Sequence, residues 1–125
     1  MEHIFFKLVL GHIIGDFFFQ FSSMADNKYR TGLKGFLWCS IHVAVYTAFV
    51  ASVSGNFSLI FLLAVYIPHW LVDRYSLAYK WMKFTGSAPL MMSMNPKDAS
   101  FGAIIYVVID QTIHLVSLYF TIQLI

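Results

Sequence analysis

The chain has 125 residues, 59% of them hydrophobic and 11% charged, with a net charge of +2. A soluble globular domain carries about 25% charged residues, so this composition points to an integral membrane protein of one domain. The basic residues lie beside apolar segments rather than in a patch of their own, which excludes nucleic acid as a partner, and a lone cysteine, Cys39, excludes an intrachain disulfide framework.

The first apolar segment covers residues 4–21 and carries His12, Asp16 and Gln20. At i, i+4 and i+8 these three side chains form one stripe of a helix. A charged group at the centre of a membrane helix costs about 2.5 to 3.5 kcal/mol on insertion scales, so the stripe is expected to face other helices. The same polar residues interrupt the apolar core that a cleaved signal peptide requires, so the segment reads as a retained helix. Gly11 and Gly15 form a small-xxx-small pair beside the stripe, which lets a neighbouring helix come close.

A polar connector over 22–34 contains Lys28, Arg30 and Lys34. The second segment, 35–53, carries His42 and Tyr46, and Ser54-Gly55-Asn56 then reads as a tight turn. Segments two and three are therefore expected to be antiparallel neighbours. The third segment, 57–78, contains Pro68, His69, Asp73 and Arg74. Its proline removes a backbone hydrogen bond and frees the Ala64 carbonyl. A long connector follows with Lys80, Lys83 and a run of methionines that reads as adaptable packing. Asn95 suits a helix N-cap with Pro96 at the first helical position, and the fourth segment, 98–124, carries Asp110, Gln111 and His114.

The predicted fold is all-α: one domain, a bundle of four transmembrane helices. The connectors after segments one and three hold Lys28, Arg30, Lys34, Lys80, Lys83 and Lys97, against Lys7 on the other side. By the positive-inside rule those connectors are cytoplasmic and both termini lie outside, in a multi-pass protein of the bacterial inner membrane. Counted along the helices at 1.5 Å per residue, the polar groups of all four segments fall about 8 to 15 Å from the cytoplasmic face.

Histidines and carboxylates projecting inward from facing helices are a practical way to build a metal site. The expected ligands are His12, His42, His69, Asp73 and His114, with Asp16 and Asp110 as catalytic carboxylates and Gln20, Tyr46 and Gln111 in support. Imidazole and carboxylate suit zinc, as one or two ions, and a zinc-bound water titrates near about 7. Lys28, Arg30, Arg74 and Lys80 at the cytoplasmic rim are placed to hold an anionic group. The expected function is a metal-dependent membrane hydrolase acting on a lipid-linked or amphipathic substrate. Its rivals are a transporter or channel for protons or divalent cations, with the same residues as a relay, and a small phage-type membrane effector whose polar network only fixes the bundle. A four-helix bundle is thin, which favours a homodimer among membrane lipids.

The pattern His12-xxx-Asp16-xxx-Gln20-xxx-Met24-Ala25-xx-Lys28, His42-xxx-Tyr46, His69-xxx-Asp73 and Asp110-Gln111-xx-His114 resembles an uncharacterised bacterial and phage membrane family, domain of unknown function 3307. The resemblance spans nearly the whole chain. It implies a small polytopic membrane protein and no established reaction. Relatives have a short basic ending after the third-segment aspartate, where this chain has Arg74 and a long methionine-rich connector.

Overall fold

A computed structural model of the protein describes residues 2–123, which form six α-helices and no strand. In chain order they are α1 (Glu2–Ile13), α2 (Ser22–Asn27), α3 (Gly32–Ser54), α4 (Leu59–Arg74), α5 (Leu77–Thr85) and α6 (Pro96–Gln123). The all-α expectation holds. Two of these helices, α3 and α6, are long and apolar enough to cross a membrane. Leu124, the expected end of the last helix, lies outside the described residues.

Segment boundaries differ from expectation where the backbone changes character. The first segment is not one α-helix to residue 21: after α1 the chain makes a π-helical turn over Ile14–Phe18. A π turn closes i→i+5 hydrogen bonds and so inserts an extra residue per turn. Gln20 therefore falls beyond the helix end and off the stripe. The third segment stops early, at Arg74, because Ser76 adopts a left-handed φ of 47° and the chain restarts as α5. Asp73 consequently sits in the last turn of α4, not two turns before its end. Both connectors expected as loops contain helix: α2 in the first, α5 and a 3₁₀ turn over Ala88–Met92 in the second.

Other local expectations hold. Gly55 takes φ 75° after α3, which an L side chain resists, and its N–H caps Ala51 O at 2.8 Å. The turn sets α3 against α4. Trp70 Nε1 then donates to Ser40 Oγ at 3.1 Å and Tyr66 Oη to Ser40 O at 3.3 Å. Asn95 Oδ1 accepts from Lys97 N at 3.1 Å at the head of α6.

Gly11 and Gly15 act as the spacing predicts. A Cβ on Gly11 would lie 2.9 Å from Val50 Cα, and one on Gly15 3.1 Å from Tyr46 Cα, so α1 lies directly on the backbone of α3. The carbonyl freed by Pro68 is also satisfied: Thr121 Oγ1 on α6 donates to Ala64 O at 3.0 Å. The buried core at this end is apolar, with Leu8, Val50, Phe61, Val65 and Leu118 packed together and Leu62, Leu115 and Ile122 around them. Polar groups collect in the other half of the bundle.

Candidate metal centre

Four elements converge on one point. His42 comes from the second turn-pair of α3, His69 and Asp73 from the last turns of α4, Asp16 from the π turn, and Asp110 and His114 from the middle of α6. All six are buried, at 8% relative exposure or less. Because Asp16 sits in a π turn, its position is set by the wider winding there rather than by the i+4 relation to His12.

Two sets of donors emerge. The first is His42, His69, Asp16 and Asp73, and the second is Asp16, Asp110 and His114, with the donor atoms of each set within 4.8 Å of one another. In the first set His42 Nε2 lies 3.2 Å from Asp16 Oδ1 and 3.2 Å from Asp73 Oδ2. His69 Nε2 lies 3.6 Å from each of the same two oxygens and 3.4 Å from His42 Nε2. Zinc at 2.0 to 2.1 Å from four tetrahedral ligands requires edges of about 3.3 to 3.4 Å between them. Five measured edges bracket that value.

One carboxylate, Asp16, belongs to both sets, while Asp73 belongs to the first and lies close to His114 of the second. Asp73 turns Oδ2 to His42 and His69, and its Oδ1 lies 3.3 Å from His114 Nε2. Although close, Asp73 Oδ1 and His114 Nε2 make no hydrogen bond. Donors that face a common point rather than each other have this geometry. Asp16 likewise turns Oδ1 to the first set, while its Oδ2 accepts from Gln111 Nε2 at 2.9 Å. The same amide lies 3.4 Å from Asp110 Oδ2.

Stacking fixes the ring planes. His69 is held between Tyr46, at 3.7 Å between centroids, and His114, at 4.0 Å. The distal Nδ1 atoms of His42, His69 and His114 have no hydrogen-bond partner among the described residues, so these contacts take over the orienting role that an outer acceptor usually plays.

The sequence-predicted residues divide into those that meet and those that do not. His12, expected as a ligand, has both ring nitrogens engaged elsewhere: Nε2 with Gln111 Oε1 at 2.6 Å and Nδ1 with Tyr46 Oη at 3.1 Å. An amide oxygen only accepts, so in the neutral ring Nε2 carries the hydrogen and Nδ1 accepts from the tyrosine. His12 thus orients Gln111 through its carbonyl. Gln111 and Tyr46, expected in support, both touch the cluster: Gln111 Nε2 donates to Asp16 Oδ2 and Tyr46 stacks on His69. Gln20 is not among the converging groups, and its buried Oε1 has no hydrogen-bond partner among the described residues.

Lys28, expected at the rim, reaches inward instead. It is 4% exposed, and its Nζ lies 2.9 Å from Asp73 Oδ2. Burial opposes its charge, but the Asp73 and Asp16 carboxylates outweigh burial and hold the ammonium above its ordinary range. The remaining rim residues stay outside the cluster: Arg74 Nη1 donates to Arg30 O at 3.1 Å, and Lys80 Nζ lies over the Tyr75 ring at 5.3 Å. The inward turn of Lys28 was not signalled by hydropathy, because α2 is short and polar.

The sequence matches one family, described as protein of unknown function (DUF3307), over residues 4–125. The match covers nearly the whole chain and bears out the resemblance: the chain belongs to this family. No curated protein and no solved structure matches it.

Proposed function

We propose that this DUF3307 protein is a metal-dependent hydrolase of the inner membrane, holding one or two zinc-like ions near the cytoplasmic face. The observation that carries the reading is the carboxylate shared by two donor sets. Asp16 belongs both to a four-donor set and to a three-donor set. Four protein ligands describe a closed zinc site, whereas three leave a position for water or substrate. The first set then serves to organise the centre, and Asp16, Asp110 and His114 would hold the ion at which chemistry occurs. The chemistry that zinc would supply if held by these residues is a bound water ionising at about pH 7 and polarisation of the bond to be cleaved. Asp110 is the most accessible carboxylate of the cluster, its side chain 12% exposed against 6% for Asp16, which suits a group that meets substrate.

Charge supports the same reading. Three carboxylates and the Lys28 ammonium leave two negative charges, which one divalent ion neutralises. A second ion adds two positive charges that a hydroxide and an anionic substrate would offset. The rival reading, a relay for protons or cations, requires polar groups through the rest of the bundle. That half is filled instead by Leu8, Val50, Phe61 and Leu118.

Membrane placement rests on the helices and their surface. Besides α3 and α6, α4 has 16 residues, about 24 Å, against a hydrocarbon core of about 30 Å that can thin locally. Large apolar side chains are exposed on every long helix, among them Phe6, Leu33, Ile60 and Ile104. This supports helices surrounded by lipid or by a second copy; four spans with both termini outside are the proposed arrangement, from the placement of the basic residues.

The test is turnover. Protein in lipid nanodiscs, loaded with zinc, is expected to hydrolyse at least one of a panel of fluorogenic amphipathic esters and phosphoesters, with loss on chelation and in Asp110→Asn. Activity untouched by both, or none across the panel, would count against the reading.

A further inference from the structure

Two tyrosine hydroxyls stand at the edge of the cluster, and the metal centre as described has no use for them. Asp110 is the least covered of the three carboxylates, and Tyr106 precedes it by four residues, on the same face of α6. Tyr29 approaches from the other side of the chain, directly after Lys28. The Lys28 Nζ that lies 2.9 Å from Asp73 Oδ2 is also 5.1 Å from the centre of the Tyr29 ring. Tyr29 thus abuts the one residue that connects α2 to the donors, and its hydroxyl ends at α6: Tyr106 Oη donates to Tyr29 Oη at 3.2 Å.

That bond spends the hydrogen of Tyr106 and one lone pair of Tyr29. A phenol both donates and accepts, and the hydrogen of Tyr29 meets no acceptor among the described residues. The residue is 39% exposed, so a ligand can reach it. Partial burial and the nearby carboxylates, Asp73 before Asp110, hold this hydroxyl protonated above its ordinary range. Its backbone is fixed as well. The next carbonyl, Arg30 O, accepts from Arg74 Nη1 at 3.1 Å, and Gly35 packs on the same oxygen with no room for a Cβ.

We infer that Tyr29 is a further catalytic residue, donating a hydrogen bond to the carbonyl or phosphoryl oxygen on which negative charge develops during cleavage, and that Tyr106 is the positioning residue that orients it. The inference rests on the hydrolase reading given above. No proton moves in this step; the hydrogen stays on Tyr29. A donor held in place beforehand and aimed at developing charge raises turnover more than it tightens substrate. Tyrosine hydroxyls are among the groups that do this in acyl and phosphoryl transfer.

The test uses zinc-loaded protein in lipid nanodiscs, with zinc content measured on each sample and inorganic phosphate as the probe, a tetrahedral anion whose oxygens already carry charge. In calorimetric titration Tyr29→Phe should weaken phosphate by about tenfold, the equivalent of one hydrogen bond to a charged group, with zinc content unchanged. Tyr106→Phe should weaken it less, and the double variant no more than Tyr29→Phe alone, because Tyr106 acts through Tyr29. Tyr119→Phe, on the same helix but edge-on to Phe5, should match the wild type. With a fluorogenic ester or phosphoester that the wild type cleaves, Tyr29→Phe should lower kcat by about 100-fold and leave KM nearly as it was. Phosphate binding equal in Tyr29→Phe and wild type, or zinc lost from Tyr29→Phe, would overturn the inference while leaving the hydrolase reading in place. Additive losses from the two tyrosines would overturn the role given to Tyr106. A wild type that binds no zinc would instead remove the hydrolase reading on which the inference stands.

Discussion

Among the described residues Lys28 carries the one ammonium that reaches the buried carboxylates, and it sits at the C-terminal end of α2, a helix of six residues lying outside the long segments. In metal-free protein, Lys28→Met leaves Asp73 without its cation, and removing one partner of a buried pair costs about 3 to 5 kcal/mol. Chemical unfolding in the presence of chelator should show that loss, and added zinc should recover part of it. His12 makes a different prediction. Because it holds Gln111 rather than a metal, His12→Ala should keep both ions while lowering turnover by about 10- to 100-fold, the usual effect of an outer partner. The His-xxx-Asp spacings in α4 and α6 made part of the cluster legible from residues alone, since i and i+4 on one helix share a face whatever the packing. The His12–Gln111 pair was not legible. It joins residues on two helices, and only the crossing of α1 and α6 decides which nitrogen meets which amide.

At the scale of elements, close contact between backbones sets the geometry of the centre. Gly11 in α1 and Gly15 in the π turn bring the first segment onto α3, and the same π turn presents Asp16 to His42. Gly11→Leu should therefore separate the helices and lower metal affinity although the residue touches no donor; titration with zinc against the wild type would show it, and unchanged affinity would argue that the approach is incidental. Pro68 and Thr121 form a second such device. Thr121→Val leaves the Ala64 carbonyl without its donor, a loss of about 1 to 3 kcal/mol, while Thr121→Ser should be nearly neutral. The proline's consequence could be read from the sequence, because the ring always frees the carbonyl four residues back. The acceptor's rescue by α6 could not. The π turn was likewise hidden: nothing in the run Gly15-Asp16-Phe17-Phe18 distinguishes i+4 from i+5 closure, and Gln20 was placed on the stripe for that reason.

For the whole molecule, composition and periodicity sufficed to give an all-helical chain with its polar groups gathered at one end. They did not give the arm built by α5 and the Ala88–Met92 turn against α6, since stretches of nine and five residues are too short to read as spans and so read as a connector. Nor could they give the division of the donors into a set of four and a set of three, proposed above as a closed and an open site, which depends on how each carboxylate is rotated between neighbours. That division is the central claim, and counting metal tests it most directly. Elemental analysis of detergent-purified, zinc-reconstituted protein should find about two ions per chain in the wild type and about one in His114→Ala, with a marked loss in His69→Ala, as expected of a two-ion site with shared carboxylates. Equal metal content in the wild type and His69→Ala, or a wild type that binds none, would contradict it.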